Sequence, residues 1–137
     1  MIFDLKLLIA PAEEARLKSY SPYSNFAVGA ALLCSDGTIY NGCNIENSSF
    51  TPTCCAERVA IFKAVSDGRR DFCAIAIVGG KTKAKKIDFC YPCGVCRQVL
   101  AEFCKSDFKI ILSNGEGKIT ETTLKEILPF SFRLNAE

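Results

Sequence analysis

No histidine occurs among the 137 residues. That absence removes imidazole from both metal binding and acid–base work. Hydrolase triads built on histidine are excluded, and any metal site must use thiolates and carboxylates. Charge of one sign is equally scarce: 17 Lys and Arg against 15 Asp and Glu leave a formal net charge of +2. So small an excess does not predict strong binding to a polyanion. No basic stripe or aromatic platform suits nucleic acid either. A small neutral or weakly charged ligand fits better. No stretch approaches the roughly 20 apolar residues needed to span a bilayer, so no membrane partner is expected. The segment from Met1 to Pro11 is mildly apolar but carries Asp4 and lacks a basic leader, which makes it a poor secretory signal. A cytoplasmic location is expected. Repeats, low-complexity tracts and linkers are absent, and the length suits a single domain over residues 1–137.

What the chain has in excess is cysteine: nine, at 34, 43, 54, 55, 73, 90, 93, 96 and 104. The number is odd, and several lie inside apolar runs, which argues against a disulfide framework. A few thiols in a metal site and the rest buried and free is the expectation.

Pro11 and the acids after it open a helix, or kink a longer one beginning near Asp4. Residues 20–25 form a loop. The apolar run Phe26 to Cys34, the Ser35-Asp-Gly-Thr38 turn and Ile39 to Cys43 make a hairpin. Cys55 to Val65 has helical periodicity and stops at Gly68. Phe72 to Val78 is a buried strand, Lys81 to Lys86 a solvated basic loop, and Cys93 to Phe103 a second long helix. Strands follow at Phe108 to Leu112 and at Lys118 to Thr120. Thr122 or Thr123 caps a last short helix through Leu128. Strands alternating with helices imply parallel pairing with right-handed crossovers, to which the hairpin adds antiparallel strands. The expected fold is α/β: a three-layer α/β/α arrangement with a mixed, about five-stranded sheet.

Two stretches carry chemistry: Thr53-Cys-Cys-Ala-Glu-Arg58 and Tyr91-Pro-Cys-Gly-Val-Cys-Arg-Gln98. Each opens a helix, where free N–H groups and partial positive charge favour a thiolate, the form that binds metal. Cys93 and Cys96 can point at one ion, and Cys55 could supply a third ligand. Three protein ligands leave a zinc position open, as a catalytic site requires, whereas a structural site wants four. Glu57 is close enough to serve water at that position without binding the metal. Three thiolates make the site anionic; Arg58 and Arg97 stand where donors could offset this, or are surface arginines.

These residues belong to a wider resemblance. Residues 20–30 (Tyr-Ser-Pro-Tyr-Ser-Asn-Phe-Ala-Val-Gly-Ala), Gly42-Cys-Asn-Ile-Glu-Asn47, Cys55-Ala-Glu-Arg58, Pro92-Cys-Gly-Val-Cys-Arg-Gln98 and Ile127-Leu-Pro-Phe-Ser-Phe132 closely resemble the small three-cysteine cytidine deaminases. The resemblance covers nearly the whole chain. It implies one zinc per chain on Cys55, Cys93 and Cys96. It implies hydrolytic deamination of cytidine and deoxycytidine in pyrimidine salvage, with Glu57 as proton shuttle. Asn44 and Glu46 would hold the ribose 3′-hydroxyl, Phe26 would stack on the base, and the Ala56 N–H would help to read it. Phe132 is similar to the aromatic that family members insert into a neighbouring subunit's site, which implies a homotetramer. Arg58 would stand behind the sulfurs. The chain departs from the family at Phe50, where tyrosine is usual, at Tyr91, where a small residue is usual, and over Lys81 to Lys86. Cys54 and Cys90 read as structural or incidental. The rival readings are a deaminase of another cytosine nucleoside, such as blasticidin S, and a structural zinc module with Cys54 or Cys90 as fourth ligand.

Overall fold

The computed structural model describes residues 3–134. A 3-10 turn at Leu5–Leu8, capped by the Asp4 carboxylate on the Lys6 N–H at 3.1 Å, runs straight into helix α1 (Ile9–Arg16). Pro11 is therefore the third residue of α1, still in the first turn. There its missing N–H removes no intrahelical bond. Strands β1 (Phe26–Cys34) and β2 (Ile39–Cys43) form the expected hairpin. Then come α2 (Ala56–Ser66), β3 (Phe72–Lys81), α3 (Gly94–Phe103), β4 (Lys109–Ser113), β5 (Ile119–Thr123) and α4 (Leu124–Ile127). Thr123 caps α4 by accepting from the Glu126 N–H at 3.3 Å.

The sheet order is β2-β1-β3-β4-β5. Among the described strands of this sheet, only β3 and β4, joined by the α3 crossover, pair in parallel; β1 and β3 are antiparallel although α2 lies between them in sequence. The reason is the hairpin. The connection through α2 starts from β2, at the sheet edge, and β3 docks on the far side of β1. The mixed sheet is as expected, with less parallel pairing than strand–helix alternation implies. β3 also runs three residues further than its β-branched core, through Gly79 and Gly80 to Lys81. Lys81 thus leaves the basic loop and joins the sheet.

Central strands covered on both faces lose the apolar–polar alternation of half-exposed ones, and β1 is buried at every position but its first. Alternate residues still separate by face. Val28, Ala30, Leu32, Ile75, Ile77, Ile110 and Leu112 pack under α2 and α3 in the larger core. Ala31, Leu33, Ala74, Ala76, Val78 and Ile111 face Leu8 and Ala12 of the N-terminal helical segment. Gly29 and Gly42 set the helix approach. A β-carbon at Gly29 would lie 1.9 Å from the Ala12 carbonyl, and one at Gly42 would lie 2.3 Å from the Ala56 carbonyl. The second contact seats the start of α2 against β2. Among the described residues, no helix is long and apolar enough to cross a membrane.

Candidate metal centre and active site

Both chemistry-bearing segments arrive as helix starts. Cys55 is the N-cap of α2 and Cys93 the N-cap of α3, where the Cys93 sulfur accepts from the Cys96 N–H at 3.5 Å. An isolated bridge ties the first segment to the sheet edge. The Ile45 and Cys54 backbones exchange two hydrogen bonds at 2.9 Å. A second bridge joins Ile45 to Tyr20, with the Glu46 N–H on the Tyr20 carbonyl at 2.8 Å. Three loops that no local sequence signal connects are thus laced into one small ribbon beside the sulfurs.

The sulfurs of Cys55, Cys93 and Cys96 all lie within 4.8 Å of one another. Cys55 and Cys93 are 3.8 Å apart, and Cys93 and Cys96 are 3.4 Å apart. Tetrahedral binding with Zn–S bonds near 2.3 Å spaces sulfurs by roughly 3.8 Å, so the cluster can close on one zinc with little movement. Cys54 and Cys90 are not part of the group. Burial holds both thiols in the neutral form, pushing Cys90 up to about 12 and Cys54 above its ordinary value. Without a fourth thiolate the donor set is that of an open site, which favours the catalytic reading over the structural one.

The Cys55 thiol ionises readily. The Cys96 thiol donates to it, Arg58 and Cys93 add to the effect, and its pKa falls to about 5 although burial opposes this. Cys96 is pushed upward by the same contact. A bound cation reverses that push, because a coordinating thiol is deprotonated outright. Arg58 Nη2 donates to the Cys55 sulfur at 3.4 Å and lies 3.5 Å from the Thr53 carbonyl. It is therefore a donor behind the cluster, of the kind that drains charge from thiolates. Arg97 is held elsewhere: its Nε donates to the Pro92 carbonyl at 2.8 Å and its Nη1 to the Ile127 carbonyl at 2.7 Å.

Glu57 lies in the first turn of α2 and is 4% exposed. Burial, followed by the neighbouring Cys55 charge, raises its pKa to about 7, against its own backbone N–H and the Cys96 thiol, which lower it. A carboxyl poised there can both take and give a proton near neutrality. Ala56, fully buried, is the first residue of α2, so its N–H has no intrahelical acceptor.

The remaining residues group around the ribbon. Phe26 opens β1 and packs against the core face that α2 and α3 cover. The Asn44 side chain donates from Nδ2 to the Phe26 carbonyl at 2.7 Å; its Oδ1 accepts from the Val28 N–H at 2.9 Å and from the Ser19 hydroxyl. Glu46 Oε1 accepts from the N–H groups of Tyr23 at 3.0 Å and Ser24 at 3.2 Å, and Oε2 from the Ser24 hydroxyl. That hydroxyl and the two N–H groups hold the carboxyl below its ordinary pKa. A cavity of about 330 Å³ adjoins Glu46, lined by Tyr23, Ser24, Asn47, Phe50 and Thr53. Phe132 is exposed, and its carbonyl accepts from Gln98 Nε2 at 3.3 Å. Ser19 and Ser24 were not among the expected site residues: Ser19 precedes the 20–25 loop, and Ser24 lies in a stretch that carries the family resemblance without an assigned role. A cluster of hydroxyls just before a strand was the one available signal.

Three thiols gathered at two helix starts, with a buried carboxyl poised near neutrality beside them, form a donor set that suits zinc-assisted hydrolysis on an α/β/α scaffold. Comparison with known proteins makes the class specific. Residues 4–112 match the family described as cytidine and deoxycytidylate deaminase zinc-binding region, and the chain belongs to that family. It is 53% identical over 129 residues to a cytidine deaminase of Sporosarcina psychrophila, covering 94% of this chain and 91% of that one. A crystal structure of cytidine deaminase from Burkholderia pseudomallei superposes with a TM-score of 0.86 at 42% identity, covering 95% of this chain and all of that one. A blasticidin-S deaminase of Bacillus cereus is more distant, at 34% identity over 111 residues, 79% of this chain and 78% of that one.

Proposed function

We propose that this protein hydrolyses cytidine and deoxycytidine to uridine and deoxyuridine plus ammonia, a step of pyrimidine salvage. The observation that carries the reading is the Cys55–Cys93–Cys96 cluster with buried Glu57 beside it. Cys55, Cys93 and Cys96 would hold the zinc, which when bound supplies a Lewis acid that lowers the pKa of water towards about 7. Glu57 accepts one proton as water adds to C4 and delivers it to N3 of the pyrimidine; it then takes the proton of the new C4 hydroxyl and passes it to the amino group. The C4–O bond forms first, and the C4–N bond breaks as the C4 carbonyl closes and ammonia leaves. Arg58, donating to Cys55, tempers the anionic cluster. Phe26 stacks on the base and the Ala56 N–H reads it. Asn44 has one Nδ2 hydrogen left for a sugar hydroxyl, and Glu46 has an acceptor position left. Zinc-loaded protein is expected to convert cytidine, followed by ultraviolet absorbance, far faster than blasticidin S. Preference for blasticidin S would move the substrate assignment to the rival nucleoside.

A homotetramer with shared sites belongs to this reading. Phe130, Phe132 and Leu134 are strongly exposed in the segment after α4, as an aromatic strap awaiting a second copy would be. Phe132→Ala is expected to raise KM for cytidine about tenfold, the scale of losing one aromatic anchor, with zinc content unchanged. Unaltered kinetics would count against the inter-subunit role. One domain over residues 1–137 and a cytoplasmic location complete the reading. The strands from Phe26 to Thr123 form one sheet with the helices packed against it, and an odd number of cysteines, several in apolar runs, suits a reducing compartment.

A further inference from the structure

The loop before β1 holds a hydroxyl whose hydrogen bonds are directionally fixed. Ser24 Oγ accepts from the Phe26 N–H at 3.0 Å. An amide can only donate, so the single Ser24 hydroxyl proton is left for Glu46 Oε2, its other neighbour. The Ser24 and Tyr23 N–H groups fill Glu46 Oε1 at 3.2 and 3.0 Å. A carboxylate has about four acceptor positions. Two on Oε1 and one on Oε2 are taken, which leaves one, on Oε2. The backbone beneath is itself pinned. Lys81 Nζ donates to the Ser24 carbonyl at 2.9 Å, the Thr82 N–H donates to the Asn25 carbonyl at 2.8 Å, and Asn25 sits in the left-handed region at φ 55°. Asparagine tolerates that conformation better than most residues.

We propose that Ser24 is a positioning residue for the substrate sugar: its hydroxyl aims the one free acceptor position of Glu46 at a ribose hydroxyl. The proposal rests on the reading that Glu46 binds the sugar. Ser24 need not touch the substrate. Its hydroxyl keeps the Glu46 carboxylate ionised and in one rotamer, so the sugar meets a prepared acceptor rather than a mobile one. The side chain is exposed and the loop is held by backbone contacts, so its removal leaves the fold intact. The Phe26 N–H is then free to take water.

The test uses the zinc-loaded full chain with two substrates, cytidine and 2′,3′-dideoxycytidine, which lacks the 2′- and 3′-hydroxyls. Ser24→Ala is expected to lower kcat/KM for cytidine about tenfold, mainly through KM, the scale of one hydrogen bond to a charged group. For dideoxycytidine kcat/KM should change less than about twofold, and Ser24→Thr, which keeps the hydroxyl, should restore cytidine turnover. In a Glu46→Gln background, Ser24→Ala should add little, because the two act as one unit. An equal loss on both nucleosides, or no loss, overturns the proposal. Glu46→Gln separates the two levels. If it weakens cytidine while Ser24→Ala does not, the Ser24 role alone fails. If it leaves cytidine and dideoxycytidine unaffected alike, the sugar-binding reading of Glu46 fails and takes the proposal with it.

Discussion

Glu57→Gln is expected to keep about one zinc per chain, as an intact three-thiolate site does, and to lose cytidine turnover by roughly 10⁴-fold, the upper end for a general acid–base group. Glutamine has nearly the same shape and still accepts hydrogen bonds, but it cannot carry a proton between water, N3 and the leaving amine. The large figure follows from the absence of a substitute. The chain has no histidine, and among the described residues Glu57 is the sole buried carboxylate. The sulfur cluster stays intact because Glu57 is not among its ligands. The fold also stays intact. Burial raises the Glu57 carboxyl to about 7, so at neutral pH its ionised form is held at a cost that a neutral amide does not incur. Zinc by atomic absorption and initial rates by ultraviolet absorbance check both halves. A variant with normal zinc and normal turnover would remove Glu57 from the chemistry.

The second large effect is on the metal. Cys96→Ala leaves two thiolates where zinc binding needs three, and the site should empty. Zinc after dialysis is expected to fall from about one per chain to near none, and turnover to background. Cys96 is fully buried in the first turn of α3, where alanine is a good helix former, so helical circular dichroism should be preserved. Cys90→Ala is the matching control. Its thiol is held neutral by burial, with a pKa near 12, and lies outside the cluster, so zinc and activity should both survive. Loss of zinc in Cys90→Ala would instead indicate a closed four-thiolate site and favour a structural metal. Retention of zinc in Cys96→Ala would mean the metal is held elsewhere.

Much of the site was legible because its parts are local. A cysteine at each of two helix starts, a second thiol one turn on and a carboxyl two residues after Cys55 are short-range patterns. Their chemistry follows from the helix N-terminus itself. The strand and helix spans were legible for the same reason, since β1 and β2 follow hydrophobic runs bounded by turn residues. Pairing was less so. Strand–helix alternation suggests parallel neighbours, yet β1 and β3 run antiparallel because β2 takes the outer edge. Arg97 shows the same limit. By sequence it stands closer to a candidate ligand than Arg58 does, one residue from Cys96 against three from Cys55, but it turns to Pro92 and Ile127.

The amino-acid sequence by itself determined which atoms are available for chemistry: thiolates without imidazole, one carboxyl beside them, and almost no net charge to draw a polyanion. It also determined where helices begin, because capping and periodicity act over a few residues. Only the tertiary structure decided how closely the three sulfurs approach one another, that Arg97 turns away from them, and that Ser24 and Asn44 brace the opening of β1. Those outcomes depend on contacts between segments far apart in the chain. They arise when α2 seats on Gly42, the Tyr20, Ile45 and Cys54 backbones pair, and both helix starts are carried to one place on the sheet.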